Sequence, residues 1–454
     1  RAQAGDHYGF HDLGLAPLKG IGEATRLFAL ALKSHDAELV LRRSVRAQFR
    51  GRTEEMELLR SAMREAETGK APVIGISGEP GSGKSRLCAE FAHWCRTQGV
   101  VVHEVRAQLY GHAAPLQPIL ELFRKYFFNI SDSDNDAATR SKIEHGLAVR
   151  GAVGEATAEA RDLALVTDFI GVTRSEEPSS KSASSARRTR LLEITRYLVR
   201  RPSDQITLIL FEDLHWLDEP SLEFLSELVS AVIGTKVLLV LNHRPEFVAS
   251  WQAASHYKKV ELPDLSNEII GQIVTDLSGY HRGLSSARDL IVRRSGGNPL
   301  FAEELVRSLN DEVISVDQSK LAGKIDTLEK SLPFNVQSII GARIDHLGTS
   351  DKSLLQMCSV IGKDIPLTVL ERISSREIPG DIGQRLQRLC AADFIQATSG
   401  GDEFEYSFCH PLIQEVAYET QLRARRSSVH HAVAGAMEDY HRTHADGFAA
   451  LLAH

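Results

Sequence analysis

The string Gly78-Glu79-Pro80-Gly81-Ser82-Gly83-Lys84-Ser85 has the residue types and the spacing to hold a phosphate chain. It sits between an apolar run, Val73-Ile74-Gly75-Ile76, and a helix-compatible stretch from Arg86 to Cys95, which is the strand, loop and helix context such a loop requires. The glycines remove the Cβ clashes that would stop the backbone folding round an anion. Successive N–H groups and the N-terminus of the next helix can then converge on it. Lys84 would place a cation against the β and γ phosphates. Ser85 would offer its hydroxyl to Mg2+, an ion that keeps most of its water and takes few protein ligands.

A second apolar run, Ile206 to Phe211, leads directly into Glu212-Asp213. A buried strand that delivers carboxylates to the C-terminal edge of a sheet delivers them where ligands bind in open α/β folds. One carboxylate would complete the Mg2+ shell and the other would orient or deprotonate a water. Position assigns Glu212 to the metal and Asp213 to the water, with an exchange of the two roles left open. His215 has no metal-binding partner nearby in the sequence and reads as a local hydrogen-bonding residue. Arg244 ends a further strand, Val237 to Leu241 followed by Asn242-His243. Its planar fork suits phosphate oxygens, so it is either a γ-phosphate contact or an exposed arginine at a strand end.

These residues need elements to hold them. At 454 residues with 43% apolar content, the chain can build about three domains with real cores. The apolar runs at Val73, Val100, Ile206, Val237 and Val260 alternate with helical stretches. This predicts an α/β fold, a mostly parallel sheet covered on both faces, over residues 49–262, and the Gly78–Ser85 loop makes it a sheet of the P-loop NTPase kind. Residues 263–330 turn helical and are broken at Ser295-Gly296-Gly297-Asn298-Pro299, where Gly suits a helix stop and Pro a first turn. That pattern predicts a helical lid. Residues 331–422 give helices at Asn335–Leu347, Ser353–Ile361 and Ile382–Ala391. Two strands follow, Phe394–Thr398 and Glu403–Phe408, joined by a Gly turn, and together these describe a winged-helix unit. Residues 423–454 read as the start of a helical, TPR-like array, residues 31–48 as a linker, and residues 1–30 as the end of a domain whose body precedes Arg1. Arg174 to Arg190, rich in Ser and basic residues, reads as a surface loop.

In chain order, Gly51-Arg52, Gly78 to Ser85, Glu212-Asp213-Leu214-His215-Trp216-Leu217-Asp218 and Gly296-Gly297-Asn298-Pro299-Leu300-Phe301 together resemble the STAND class of signalling ATPases. The arrangement looks like that of regulators in which the module follows a class III adenylate or guanylate cyclase domain. Asp12-Leu13-Gly14 with Leu18-Lys19-Gly20-Ile21 resembles the end of such a cyclase. Phe408-Cys409-His410-Pro411-Leu412-Ile413-Gln414-Glu415 resembles the winged-helix signature of the class. The resemblance implies an ATP/ADP switch with Mg2+ in which Arg52 joins the nucleotide site, Pro299 packs near the adenine and His410 reads the β phosphate. It also implies a protein effector met through the winged-helix and helical regions, and self-assembly that depends on nucleotide. Two positions depart from the pattern. Glu212 stands where Asp is usual, one methylene longer, and Pro411 stands where many relatives carry an acid.

Net charge is −7, which gives no global basic field for nucleic acid or anionic lipid. Arg385 and Arg388 on a candidate recognition helix are too few to make direct DNA binding the expectation. Thirty residues cannot hold the metal-binding aspartates of a cyclase, so no cyclase activity is expected of this chain. Five cysteines without CxxC spacing point to reduced thiols in a cytoplasmic protein, and no apolar run approaches the ~20 residues of a membrane span.

Overall fold

Strands buried on both faces need unbroken apolar runs, and three runs of this chain form the centre of a parallel sheet. In the computed structural model they are β3 (Val73–Ser77), β5 (Thr207–Glu212) and β6 (Val237–His243), every residue of which is buried. The model describes residues 8–16, 25–32, 48–107, 116–131, 134–148, 156–172, 181–200, 205–278, 287–313, 335–374, 381–397 and 406–443. The more exposed β4 (Val101–Arg106) and β7 (Tyr257–Glu261) are the two edges, giving a five-stranded, all-parallel sheet in the order β4-β5-β6-β3-β7. The loop-bearing strand β3 is thus separated from the acid-bearing strand β5 by β6. With its Gly-rich loop, this sheet fits a P-loop NTPase fold.

Side chains alternate across a strand, so each central strand feeds two cores. Ile74, Ile76, Leu208, Leu210, Leu238 and Val240 pack with α1 (Thr53–Glu67) and α2 (Lys84–Thr97). Ile209, Phe211, Leu239 and Leu241 pack on the other face. There they meet α3 (Gln117–Leu122), α6 (Lys181–Val199) and α7 (Glu219–Ala231), with α4 (Asp136–Ala148) and α5 (Ala156–Ile170) completing that layer. The expected surface loop at 174–190 is corrected here from Lys181 onward. Leu191, Ile194 and Leu198 bury one face of α6, and Arg187, Arg188 and Arg190 form ion pairs with Asp168, Glu223 and Asp162. The basic and serine-rich composition hid a helix anchored by its C-terminal half. Residues 173–180 lie outside the described set.

Helices α8 (Asn267–Ser278), α9 (Arg288–Ser295) and α10 (Pro299–Val313) follow the sheet. After them come α11 (Val336–Asp345), α12 (Thr349–Ile361), β8 (Asp364–Ile365), α13 (Leu367–Ser374), α14 (Ile382–Ala391), β9 (Ile395–Ala397) and β10 (Tyr406–Phe408). The three short strands form an antiparallel sheet in the order β8-β10-β9. Sequence reading missed β8 and α13, which are too short to carry a period. Helices α15 (Pro411–Glu419) and α16 (Arg423–Thr443) end the described chain. A single apolar core runs from Leu265, just ahead of α8, to Ala436 in α16. At the other end, β1 (Tyr8–Ala16) and β2 (Thr25–Leu32) form an antiparallel pair with a register shift between Asp12 and Gly14. Of the expected linker at 31–48, Ala31 and Leu32 belong to β2 and residues 33–47 lie outside the described residues.

Candidate functional site

Strand register gathers the chemistry-bearing residues on one edge. Ser77 pairs with His243 and Arg106 with Glu212, while Phe211 pairs with Leu241. One step further along each strand, Glu212 is level with Asn242 and Arg244 is level with Gly78. Arg106, Glu212, Asp213, Asn242 and Arg244 therefore flank the Gly78–Ser85 loop at the C-terminal edge of the sheet, where ligands bind in open parallel folds.

The loop itself is held from three directions. Gly81 and Gly83 have φ of +83° and +95°, values that glycine alone adopts readily. Lys84 is buried, and its ammonium donates to the carbonyl oxygens of Gly78 at 2.6 Å and Glu79 at 3.1 Å. Burial draws this ammonium below its usual range, with Asp213 opposing the fall and Arg244 adding to it. Asn298 donates to the carbonyl of Pro80 at 2.9 Å, and a Cβ on Gly81 would stand 2.7 Å from the Asn298 Oδ1. The start of α10 thus rests directly on the loop, with Pro299 beside Gly83. Arg52 is buried and donates to the carbonyls of Ser82 at 3.1 Å and Pro263 at 2.7 Å and to Glu55 at 2.9 Å. Its guanidinium braces the loop and the segment ahead of α8 through their backbones. Glu79 is exposed, and it and Pro80 contribute carbonyls to these contacts. Ser85 is half-buried in the first turn of α2.

The two acids differ in environment. Glu212 is buried, and its Oε1 accepts from Arg106 at 2.9 Å while Oε2 is buried with no hydrogen-bond partner among the described residues. A buried carboxylate oxygen left over in this way fits a cation or a metal-bound water. Asp213 sits in the left-handed region, with φ of +61°, and its backbone N–H donates to Asn242 Oδ1 at 2.8 Å. Its carboxyl is pushed up to about 6, by burial first and by Glu212 next, against Arg106, Lys84 and Arg244. An acid with this value can take a proton near neutral pH. His215 is pushed down to about 3 by burial and by the cations Arg244 and Lys84, so it is neutral; its Nδ1 is buried with no hydrogen-bond partner among the described residues. Asp218 caps α7 by accepting from the backbone N–H and the hydroxyl of Ser221, both at 2.8 Å.

The C-terminal unit reaches the same edge. Arg244 donates to Glu415 of α15 at 2.6 Å and lies over the Trp216 ring at 5.4 Å. His410 caps α15, its Nδ1 accepting from Leu412 N–H at 3.0 Å, and burial followed by Lys84 and Arg307 pulls its pKa down to about 4. Lys84, Ser85, Glu212, Asp213, Arg244, Pro299 and His410 thus belong to one neighbourhood. Sequence reasoning passed over Arg106, Asn242, Asn298 and Glu415 as actors. Asn242 and Asn298 stood inside motifs already singled out, whereas Arg106 and Glu415 acquire partners only through strand register and docking. Arg385 and Arg388 both donate to Asp351, at 3.1 Å and at 2.7 and 2.8 Å, on the helix beneath them.

Residues 48–240 match the AAA ATPase domain family. Over 370 residues, covering 80% of the chain, the sequence is 25% identical to an uncharacterised protein of Rhizobium meliloti (strain 1021). The chain spans about a third of that relative, 34% of its length. Among solved structures, a signal transduction ATPase with numerous domains from Pyrococcus horikoshii, carrying a tetratricopeptide repeat sensor, overlaps 86% of the chain and 45% of its own, at 12% identity and a TM-score of 0.46. The Drosophila ORC bound to DNA overlaps 89% of the chain and 97% of its own, at 13% identity and a TM-score of 0.39. Among the described residues no helix is long and apolar enough to cross a membrane.

Proposed function

We propose that the chain is an ATP-binding and ATP-hydrolysing switch, in which the nucleotide held at Gly78–Ser85 biases how the C-terminal unit docks on the sheet. The observation that carries the reading is the convergence of Lys84, the Glu212-Asp213 pair and the cross-domain residues Arg244 and His410 on one edge. Ligand identity can shift an interdomain equilibrium only through different contacts in the two states, and groups from separate units around one ligand supply such contacts.

In this reading Lys84 leaves the loop carbonyls for the β and γ phosphates, and Arg244 binds the γ phosphate. Pro299 packs near the adenine and His410 near the β phosphate. Ser85 and Glu212 would hold Mg2+, which neutralises phosphate charge when bound. Asp213, poised near neutral pH, takes the proton of the attacking water. Arg52 serves the site by fixing the loop backbone. Residues 331–422 act as the winged-helix reader, and its release exposes surface for an effector or for self-assembly. The resemblance of residues 1–30 to a cyclase end supports the finer reading of a regulatory module in a cyclase-type protein. Transcriptional control by direct DNA binding is disfavoured, because Asp351 engages the two arginines of α14.

Titration with fluorescent ATP tests the site. Lys84→Ala removes charge-assisted contacts of about 1.5–3 kcal/mol each, so binding should weaken at least tenfold. Binding at wild-type strength would refute the assignment. Asp213→Asn should keep binding and lower turnover by about 10²–10⁴ in a phosphate-release assay.

A further inference from the structure

We infer that Glu415 sets the preference of this site between a nucleoside triphosphate and a diphosphate, by occupying the guanidinium of Arg244 that a γ phosphate would otherwise take. The inference rests on the γ-phosphate role given to Arg244 above.

Arg244 and Glu415 are 171 positions apart and come from different units, yet they meet at 2.6 Å with side chains only 18% and 13% exposed. Arg244 leaves β6 level with Gly78, the first residue of the phosphate loop. The Trp216 ring, 5.4 Å beneath the guanidinium, limits the directions from which an anion can approach it. Lys84, Asp213 and His215 all feel the Arg244 charge, so the arginine lies within electrostatic reach of the phosphate site while it is bonded to Glu415. Glu415 also follows His410, the cap of the same helix, which feels Lys84. One short helix therefore carries a carboxylate on Arg244 and is capped by an imidazole within electrostatic reach of Lys84.

Carboxylate and phosphate compete for the same planar donors. A diphosphate ends before the γ position and leaves the Arg244–Glu415 pair intact. A triphosphate brings a more highly charged competitor to Arg244. If it wins, Glu415 is left as an unpaired carboxylate, largely screened from water and beside a polyanion, a state relieved by withdrawal of α15. Glu415 thus acts as an internal stand-in for the γ phosphate. It weakens triphosphate binding specifically while the C-terminal unit is docked, and triphosphate binding undocks that unit by the same coupling.

The test compares ATP and ADP with Mg2+ by calorimetry on the whole chain. Glu415→Gln should tighten ATP about tenfold, within the usual range for coupling between sites, while ADP affinity moves less than twofold. Arg244→Gln should abolish the difference, so that adding Glu415→Gln to it changes neither affinity. In a second readout, the fluorescence of Trp216 should change with ATP and not with ADP in the wild type, and at lower ATP in Glu415→Gln. If the wild type binds neither nucleotide, the site reading fails and takes this inference with it. If it binds both and Glu415→Gln shifts them equally or not at all, this inference alone is overturned. Should Glu415→Gln fail to fold, Glu415→Asp, one methylene shorter, must shift the ATP to ADP ratio severalfold in the same direction. An unchanged ratio would overturn the inference equally.

Discussion

His410 depends on its protonation state, because only a neutral imidazole has a ring nitrogen able to accept the Leu412 N–H that starts α15. Burial and the cations Lys84 and Arg307 hold its pKa at about 4, below the ~6.5 of an unfolded histidine. Between those values the unfolded chain binds the proton and the folded chain does not. The contribution to stability is therefore complete above about pH 6.5 and is lost as pH falls towards 4. His410→Asn keeps a capping oxygen without the titration. Across that window the wild type should lose stability relative to the variant, by at most about 1.4 kcal/mol per pH unit in urea unfolding. Parallel curves would contradict the assignment. Asp213 favours the same direction of pH for catalysis, although burial moves its pKa up rather than down. With its carboxyl near 6, turnover should rise as pH passes about 6 and the base form fills, and Asp213→Asn should remove that limb of the profile.

The joint between lid and loop rests on two glycines whose surroundings differ. Gly296 and Gly297 both have positive φ, +57° and +84°, and Gly296 ends α9. A Cβ on Gly296 would meet nothing, whereas one on Gly297 would stand 2.6 Å from Asp264 Cβ and 2.7 Å from Leu265 O. That segment cannot easily retreat, because Leu265 N–H donates to Gly297 O at 2.9 Å. Gly296→Ala should therefore cost only about 1–2 kcal/mol of left-handed strain. Gly297→Ala should cost more and weaken ATP binding as well, since Asn298 next to it holds Pro80. Equal losses in denaturant unfolding would count against this account. The same joint illustrates what a sequence can reveal. The break at 295–299 and the acids after Phe211 are local signals, carried by turn chemistry and by an apolar run ending in charge. The Arg106–Glu212 pair needs the register of two strands, and Arg244–Glu415 needs a docking geometry between distant segments, so neither leaves a periodic trace. The α6 helix is hidden in the sequence for a related reason. Its first half has the composition of a loop, and it is helical because Leu191, Ile194 and Leu198 are packed and its arginines find acids on neighbouring helices.

At the scale of the whole molecule, α10 links the nucleotide loop to the C-terminal core. Asn298, at its start, contacts Pro80, and Glu304, about 9 Å further along a helix that rises ~1.5 Å per residue, is fully buried against Arg343 of α11 and accepts from Arg307 at 2.7 Å. Arg343 also lies over the Phe394 ring at 4.6 Å and donates to the Ala392 carbonyl, so the pair ties lid, α11 and the β9 entry together. The apolar core is continuous across the same junction, from Leu265 to Ala436. Lid and C-terminal unit should accordingly move as one body, and the sheet edge, held by Arg244–Glu415 and the loop contacts, is where nucleotide can part them. A buried charge that loses its partner is costly, whereas an apolar pair of similar volume is often neutral. Glu304→Gln should therefore lower stability by about 3 kcal/mol and loosen the coupling between nucleotide and Trp216 fluorescence. Glu304→Leu combined with Arg343→Met should restore most of the stability while Arg307 keeps Asp393 at 3.3 Å. If Glu304→Gln unfolds at the wild-type denaturant midpoint and transmits nucleotide binding unchanged, α10 is not the connecting element.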